Sequence, residues 1–205
     1  LVYQGIDTSW FAPPSQRAPA ARLSVGFVGR LEPRKGIDFI WRVVEALGTD
    51  SDVEFHLKGA LHPAARTAVQ ARLARHAAMV THHPPSGHEE MPEFYRTLDV
   101  LLQPSRFENF GLAYAEAMAT GLLVIAGKGG SACEIVRDGE TGWLVDPDGP
   151  VDHVSTILRR FAADRTAFDV IRSAARADVE RRFSLRACVD AKLALYREVA
   201  ECGSS

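Results

Sequence analysis

The chain has 205 residues, a formal net charge of −2, and 46% hydrophobic and 24% charged residues. That is enough apolar material for one large domain or two small ones, and the near-neutral charge gives no footprint for nucleic acid. No stretch is apolar and long enough for a membrane span, no signal peptide is visible, and the three cysteines, Cys133, Cys188 and Cys202, have no paired spacing, which points to a reducing compartment rather than a disulfide framework or zinc site.

In chain order, residues 2–13 carry Gly and Pro punctuation without a helical period and read as a linker; 14–21 read as an irregular loop. A first strand is predicted over 23–28. The loop Gly29-Arg30-Leu31-Glu32-Pro33-Arg34-Lys35-Gly36 follows it. A helix over 37–47 has Ile37, Ile40, Val43, Val44 and Leu47 on one face. A second strand over 53–58 ends at Gly59. A Pro-initiated helix over 63–78, a short strand over 79–81, a helix over 89–98 and a strand over 99–103 come next. The segment Pro104–Gly121 reads as loop, short helix and Gly stop. It leads into a fifth strand over 122–126, so that strand, helix and strand make one βαβ unit. Residues 131–136 form a helical turn, 138–142 a tight turn and 143–145 a sixth strand; from Val151 the pattern is helical almost to the end. Strands alternating with helices imply an α/β, doubly wound Rossmann-like domain: a mainly parallel sheet of about six strands, flanked by helices, with ligands beyond the C-terminal strand ends.

The most informative stretch is Pro104-Ser105-Arg106-Phe107-Glu108-Asn109-Phe110-Gly111-Leu112-Ala113-Tyr114-Ala115-Glu116-Ala117-Met118-Ala119-Thr120-Gly121. It sets Glu108 just before a helix start and Glu116 about two turns inside it. The first amides of a helix lack internal partners and sit at the positive end of its dipole, so Asn109, Phe110, Gly111 and Leu112 form a phosphate-type anion site. Both carboxylates can accept hydrogen bonds from sugar hydroxyls. Arg30 and Lys35, on the loop after the first strand, are cations suited to phosphate oxygens.

This string resembles the Glu-x7-Glu motif of the group 1 (family 4) retaining glycosyltransferases, Pro-Ser-x-x-Glu-x-Phe-Gly-x-x-x-x-Glu-Ala-Met-Ala-x-Gly, and meets it at every fixed position. Val28-Gly29-Arg30-Leu31 with Lys35-Gly36 is similar to the family's first C-terminal-domain loop, and residues 2–13 look like its interdomain linker, with Gln4 in place of the common Asn. The resemblance implies the C-terminal half of a two-domain GT-B architecture: a linker over 1–22, a nucleotide-sugar (donor) domain over 23–182, and a C-terminal helix over 183–205 that packs back on an N-terminal acceptor domain. The start at Leu1 is read as the start of a fragment. Without the other half, the last helix is expected to show an exposed apolar patch.

For chemistry, the resemblance implies transfer of a sugar from a nucleoside-diphosphate sugar with retained configuration. Arg30 and Lys35 then hold the diphosphate, Glu108 faces the donor sugar, and Glu116 holds the ribose hydroxyls. Arg30, Lys35 and Glu108 are the catalytic candidates, and Gly29, Gly59, Asn109, Phe110, Gly111, Leu112 and Glu116 complete the donor-binding set. No cofactor and no metal are required: the sequence is read as lacking an Asp-x-Asp metal motif, and cations in place of a metal fit the family's metal-independent habit. The implied partners are the nucleotide sugar and the missing half, without nucleic acid. The implied location is cytoplasmic, with membrane-bound acceptors, and so peripheral membrane association, open to the full protein. The isolated half is expected to transfer nothing. Two alternatives stay open: a sugar-nucleotide epimerase of the same architecture, which the intact Glu108/Glu116 signature argues against, and a non-catalytic nucleotide-sugar-binding module.

Other features read as structural. His82, His83 and His88 around residues 84–87 form an exposed turn. Arg34 is surface. Gly129-Gly130, in a stretch similar to the family's Gly-Gly-x-x-Glu-Ile-Val, lets the backbone pass the donor pocket. The late run Arg159, Arg160, Arg165, Arg172, Arg176, Arg181 and Arg182, interleaved with acids, is a solvated helix face.

Overall fold

Residues 2–15, 20–49 and 51–202 are described by a computed structural model. Six strands, β1 (Leu23–Val28), β2 (Val53–Lys58), β3 (Val80–His83), β4 (Val100–Gln103), β5 (Leu123–Gly127) and β6 (Trp143–Val145), form one sheet in the order β3-β2-β1-β4-β5-β6. Every pairing is parallel, with Leu23 opposite Val53, Val25 opposite Val100 and Val100 opposite Leu123. Among the described residues, seven helices flank it, α1 (Ile37–Leu47), α2 (Arg66–Arg75), α3 (Met91–Arg96), α4 (Leu112–Ala119), α5 (Ala132–Ile135), α6 (Asp152–Ala163) and α7 (Asp169–Arg182), and an eighth, α8 (Leu185–Cys202), packs on α7.

The two-residue period of the strands divides the core into two layers. Val100 and Leu102 of β4 and Leu123 and Ile125 of β5 face α1, α2 and α6; Leu101, Val124 and Ala126 face α3, α4, α5 and α7. Both faces are covered, which is why β4 and β5 read as unbroken apolar runs. In α4 the buried Ala115, Ala117 and Ala119 are small, and Ala175 and Val179 of α7 lie in the same apolar cluster.

β1, β2, β6 and α1 have the predicted bounds. Other elements are shorter than expected. The helix over 63–78 resolves into a 3-10 turn, Pro63–Ala65, and α2, because the amides of Met79 and Val80 both turn back to His76 O. The helix over 89–98 becomes a 3-10 turn, His88–Glu90, and α3, closed by Thr97 Oγ1 donating to Phe94 O at 2.7 Å. The strand expected over 79–81 runs instead through His83, so His82 and His83 are not in an exposed turn: they pair with Leu57 and Lys58 and are half-buried. Of the loop expected over 14–21, residues 16–19 lie outside the described residues.

The arginine run also departs from a solvated face. Arg172 Nε donates to Gly121 O at 2.7 Å and Arg176 to Ala119 O, so cations of α7 satisfy carbonyls at the end of α4. The buried Asp178 accepts from Arg137, Arg181 and Arg182. The acids interleaved with these arginines hid this, because spacing does not reveal which side chains cross to a neighbouring helix.

The last helix begins at Leu185, behind Ser184, whose Oγ accepts from Ala187 N at 3.2 Å. The N-terminal segment is tied there: Ile6 N donates to Phe183 O at 2.8 Å and Leu185 N to Ile6 O at 2.9 Å. Leu185, Val189, Leu193, Leu195, Tyr196 and Val199 of α8 are exposed. Among the described residues, no helix is long and apolar enough to cross a membrane.

Candidate functional site

The strand order reverses direction between β1 and β4: the chain leaves β1 toward β2 on one side and β4 toward β5 on the other. The loops after β1 and β4 therefore part around a crevice at the C-terminal strand ends, the usual ligand position in open α/β sheets. The loop after β1 folds as a 3-10 turn, Pro33–Lys35, closed by Gly36 at φ 79°. A Cβ at Gly36 would lie 2.0 Å from Pro104 O, so only glycine lets the two loops touch. Arg106 N donates to Arg34 O at 3.0 Å across the same contact. On the far side, Gly130 (φ 64°) packs so that a Cβ would lie 2.1 Å from Glu108 O, while Ser131 N donates to that oxygen at 3.1 Å. The glycine pair thus supports the Glu108 backbone.

A cavity of about 370 Å³ opens there. Val28 and Gln103 form its floor, Arg34 and Lys35 one wall, residues 108–113 the other, and Gln4 reaches in from the N-terminal segment. Lys35 Nζ lies 2.6 and 2.8 Å from the two Glu108 carboxylate oxygens. Ser105 Oγ donates to Glu108 Oε1 at 2.8 Å, and Gln103 Nε2 to Ser105 Oγ at 3.3 Å. Gln103 Oε1 accepts from Val28 N at 3.2 Å, which anchors the chain of bonds in the sheet. Tyr114 lies behind: burial, and then the charge of Glu108, holds its phenol above the ordinary tyrosine range.

Gly111 takes the αL conformation at the start of α4 and makes no side-chain cap, with Tyr114 N bonded to Gly111 O at 2.9 Å. Among the described residues, the amides of Leu112 and Ala113 find no acceptor. They present partial positive charge beside Lys35 and Arg34, a setting for an anion.

Glu116 lies deeper. It is 6% exposed, accepts from Tyr95 Oη at 3.0 Å through Oε2, and has His88 Nδ1 3.9 Å from Oε1. Burial pushes its carboxyl above the ordinary glutamate value, and the Tyr95 bond and His88 offset only part of that.

A family model described as Glycosyl transferases group 1 matches residues 9–178. The chain belongs to this family. A D-inositol 3-phosphate glycosyltransferase of Mycolicibacterium vanbaalenii is 33% identical over 223 residues, an alignment covering 98% of this chain and 48% of that protein. The chain spans about half the length of the curated relatives it matches. The solved C-terminal domain of a glycosyl transferase group 1 family protein from Francisella tularensis superposes with a TM-score of 0.78 at 24% identity, over 88% of this chain and 100% of that one. Anabaena HepE, solved with UDP-glucose, gives 0.78 at 24% identity, over 99% of this chain and 56% of that one.

Within this group 1 domain, Lys35, Glu108, Asn109, Phe110, Gly111 and Leu112 line one cavity. Gly29, Arg30, Gly59 and Glu116 are not among its lining residues. Arg30 instead lies 3.3 Å from Glu32 Oε1, and Gly59 packs on Gly29, where a Cβ would meet Gly29 O at 1.9 Å. Arg34 is exposed, as read, and also lines the cavity, 3.3 Å from Glu32 Oε1. Its signal was Pro33, which opens a tight turn and swings residues 34 and 35 together toward the crevice. Gln103 was missed because a polar residue at a strand end carries no pattern of its own; Ser105 is a fixed position of the signature but was given no role.

Asp146-Pro147-Asp148 does have Asp-x-Asp spacing, against expectation. Asp146 accepts from Asp148 N at 2.9 Å and Asp148 pairs with Arg106 at 2.6 Å, so both carboxylates serve the turn and its neighbour. Among the described residues, no three His, Cys, Asp or Glu side chains gather as a metal site.

Proposed function

We propose that this chain is the donor-binding half of a glycosyltransferase that takes a sugar from a nucleoside-diphosphate sugar and transfers it with retained configuration. The observation that carries this reading is the meeting of Lys35, Glu108 and the unfilled α4 amides in one cavity at the switch point of the sheet. A diphosphate placed at the α4 N-terminus would draw Lys35 from Glu108. Arg34 and, after rotation from Glu32, Arg30 are within reach as further cations. As the bond from the anomeric carbon to the phosphate oxygen breaks, its electron pair stays on the departing diphosphate. Lys35 and the amides stabilise that charge in place of a metal ion. The acceptor oxygen bonds to the same face of the anomeric carbon, and its proton passes to the leaving phosphate.

Released from Lys35, Glu108 accepts hydrogen bonds from donor sugar hydroxyls. In Glu116, Tyr95 occupies Oε2 and leaves Oε1 for ribose hydroxyls. The UDP-glucose bound by Anabaena HepE makes that donor the first to try. The test uses the full-length protein with nucleotide sugars and a panel of sugar-alcohol acceptors in the presence of EDTA. Acceptor-dependent release of nucleoside diphosphate is expected, with proton NMR showing the donor's anomeric configuration in the product. An inverted product, or isomerised donor without acceptor, would overturn the reading.

A further inference from the structure

Arg106 occupies a variable position of the signature and does not line the cavity, yet it touches three other segments. Its amide donates to Arg34 O at 3.0 Å, and its guanidinium to Pro33 O, both on the Lys35 loop. The guanidinium forks onto Asp38 in the first turn of α1, at 2.9 and 2.7 Å. It also reaches Asp148, at 2.6 Å, in the turn after β6. That turn is itself held by Arg42 of α1, which donates to Pro147 O at 2.6 Å and Gly149 O at 2.8 Å. From these contacts we propose that Arg106 is a positioning residue: it clamps the loop carrying Lys35 to the loop carrying Glu108 and so sets the spacing between Lys35 and the α4 amides.

A planar guanidinium suits this task. Two parallel bonds fix Asp38 in angle as well as distance, the remaining hydrogens of Nη1 and Nη2 serve Pro33 O and Asp148 on either side, and a lysine at the same place could supply only a point charge. The clamp has only to stop two short loops from separating. A displacement of about 1 Å between a cation and an anion site is enough to weaken a binding constellation strongly.

The inference rests on the donor-site reading, and the experiment separates the two. Arg106→Gln and Arg106→Lys are compared with Arg165→Gln. Arg165 pairs with Asp99 at 2.9 Å at the opposite, N-terminal end of β4, and so reports loss of an ion pair remote from the cavity. Amide hydrogen exchange is measured on the free chain, and UDP affinity and thermal midpoint on each variant. Arg106→Gln is expected to raise exchange in both the 33–36 and the 105–113 loops and to weaken UDP at least tenfold. Arg106→Lys should recover part of both effects, and Arg165→Gln should change neither, whatever its midpoint. If neither UDP, GDP nor ADP binds the wild type, the donor reading falls, and loop exchange alone decides the clamp. Unchanged exchange in the two loops, or equal UDP affinity in Arg106→Gln and wild type, overturns it.

Discussion

Glu108 and Glu116 sit eight residues apart in one signature, but they occupy opposite kinds of environment. Glu108 belongs to a loop held by backbone contacts, and its carboxylate is charge-paired with Lys35 and bonded by Ser105. Glu116 belongs to a helix packed into the core, and its carboxyl is kept company by a phenol and, at 3.9 Å, an imidazole. The first is poised to exchange partners when a ligand enters. The second is fixed, and its charge is costly where it stands. On the proposed function, the loop-borne ion pair would exchange partners with the donor while Glu116 stays in place.

The comparison can be broken most severely from the loop side. Gly130→Ala forces a side chain into the left-handed region and onto Glu108 O, and is expected to cost about 3 kcal/mol in urea unfolding. It should also abolish diphosphate binding, because the Glu108 loop must move. Tyr95→Phe acts on the helix side: it strips a buried carboxylate of its donor and should cost about 2 kcal/mol at neutral pH.

Glu116→Gln sharpens the contrast through pH. The folded-state value of this carboxyl is raised, so the contribution of its proton to stability is present below the ordinary glutamate value and is lost as pH rises through the folded value. The glutamine variant is therefore expected to melt higher than wild type at neutral pH. The gap should close below about pH 4, where both side chains are neutral. A constant gap across that range would contradict the assignment. Glu108→Gln takes the charged partner from a largely enclosed Lys35, whose side chain is 17% exposed, and is expected to cost about 2 kcal/mol. It frees Lys35, so bare UDP should bind several-fold tighter in calorimetry even though transfer by the full-length protein fails.

The sheet was legible because periodicity and chain order carry it: six strands in βα alternation leave little choice but a covered parallel sheet. The Glu108–Leu112 site was legible because an anion site at a helix start is a local feature, written in consecutive residues. What escaped were contacts between loops distant in sequence. Arg34 meets the Glu108 loop through one backbone bond across the crevice, Arg106 owes its role to Asp38 and Asp148, far from it in sequence, and Arg172 and Arg176 owe theirs to the packing of α7 on α4. Nothing in a run of arginines separates those that cross to a neighbour from those that face water. Arg30 illustrates the converse: its motif points to phosphate, but its guanidinium lies 3.3 Å from Glu32 Oε1 and it is not among the residues lining the cavity.

The most direct test is a calorimetric titration of wild type and Lys35→Ala with UDP, GDP and ADP, on both this chain and the full-length protein. The donor-site account predicts that one of the three binds wild type with 1:1 stoichiometry and that Lys35→Ala weakens it at least tenfold. Equal affinity of wild type and Lys35→Ala, or no binding to the full-length protein, would contradict it.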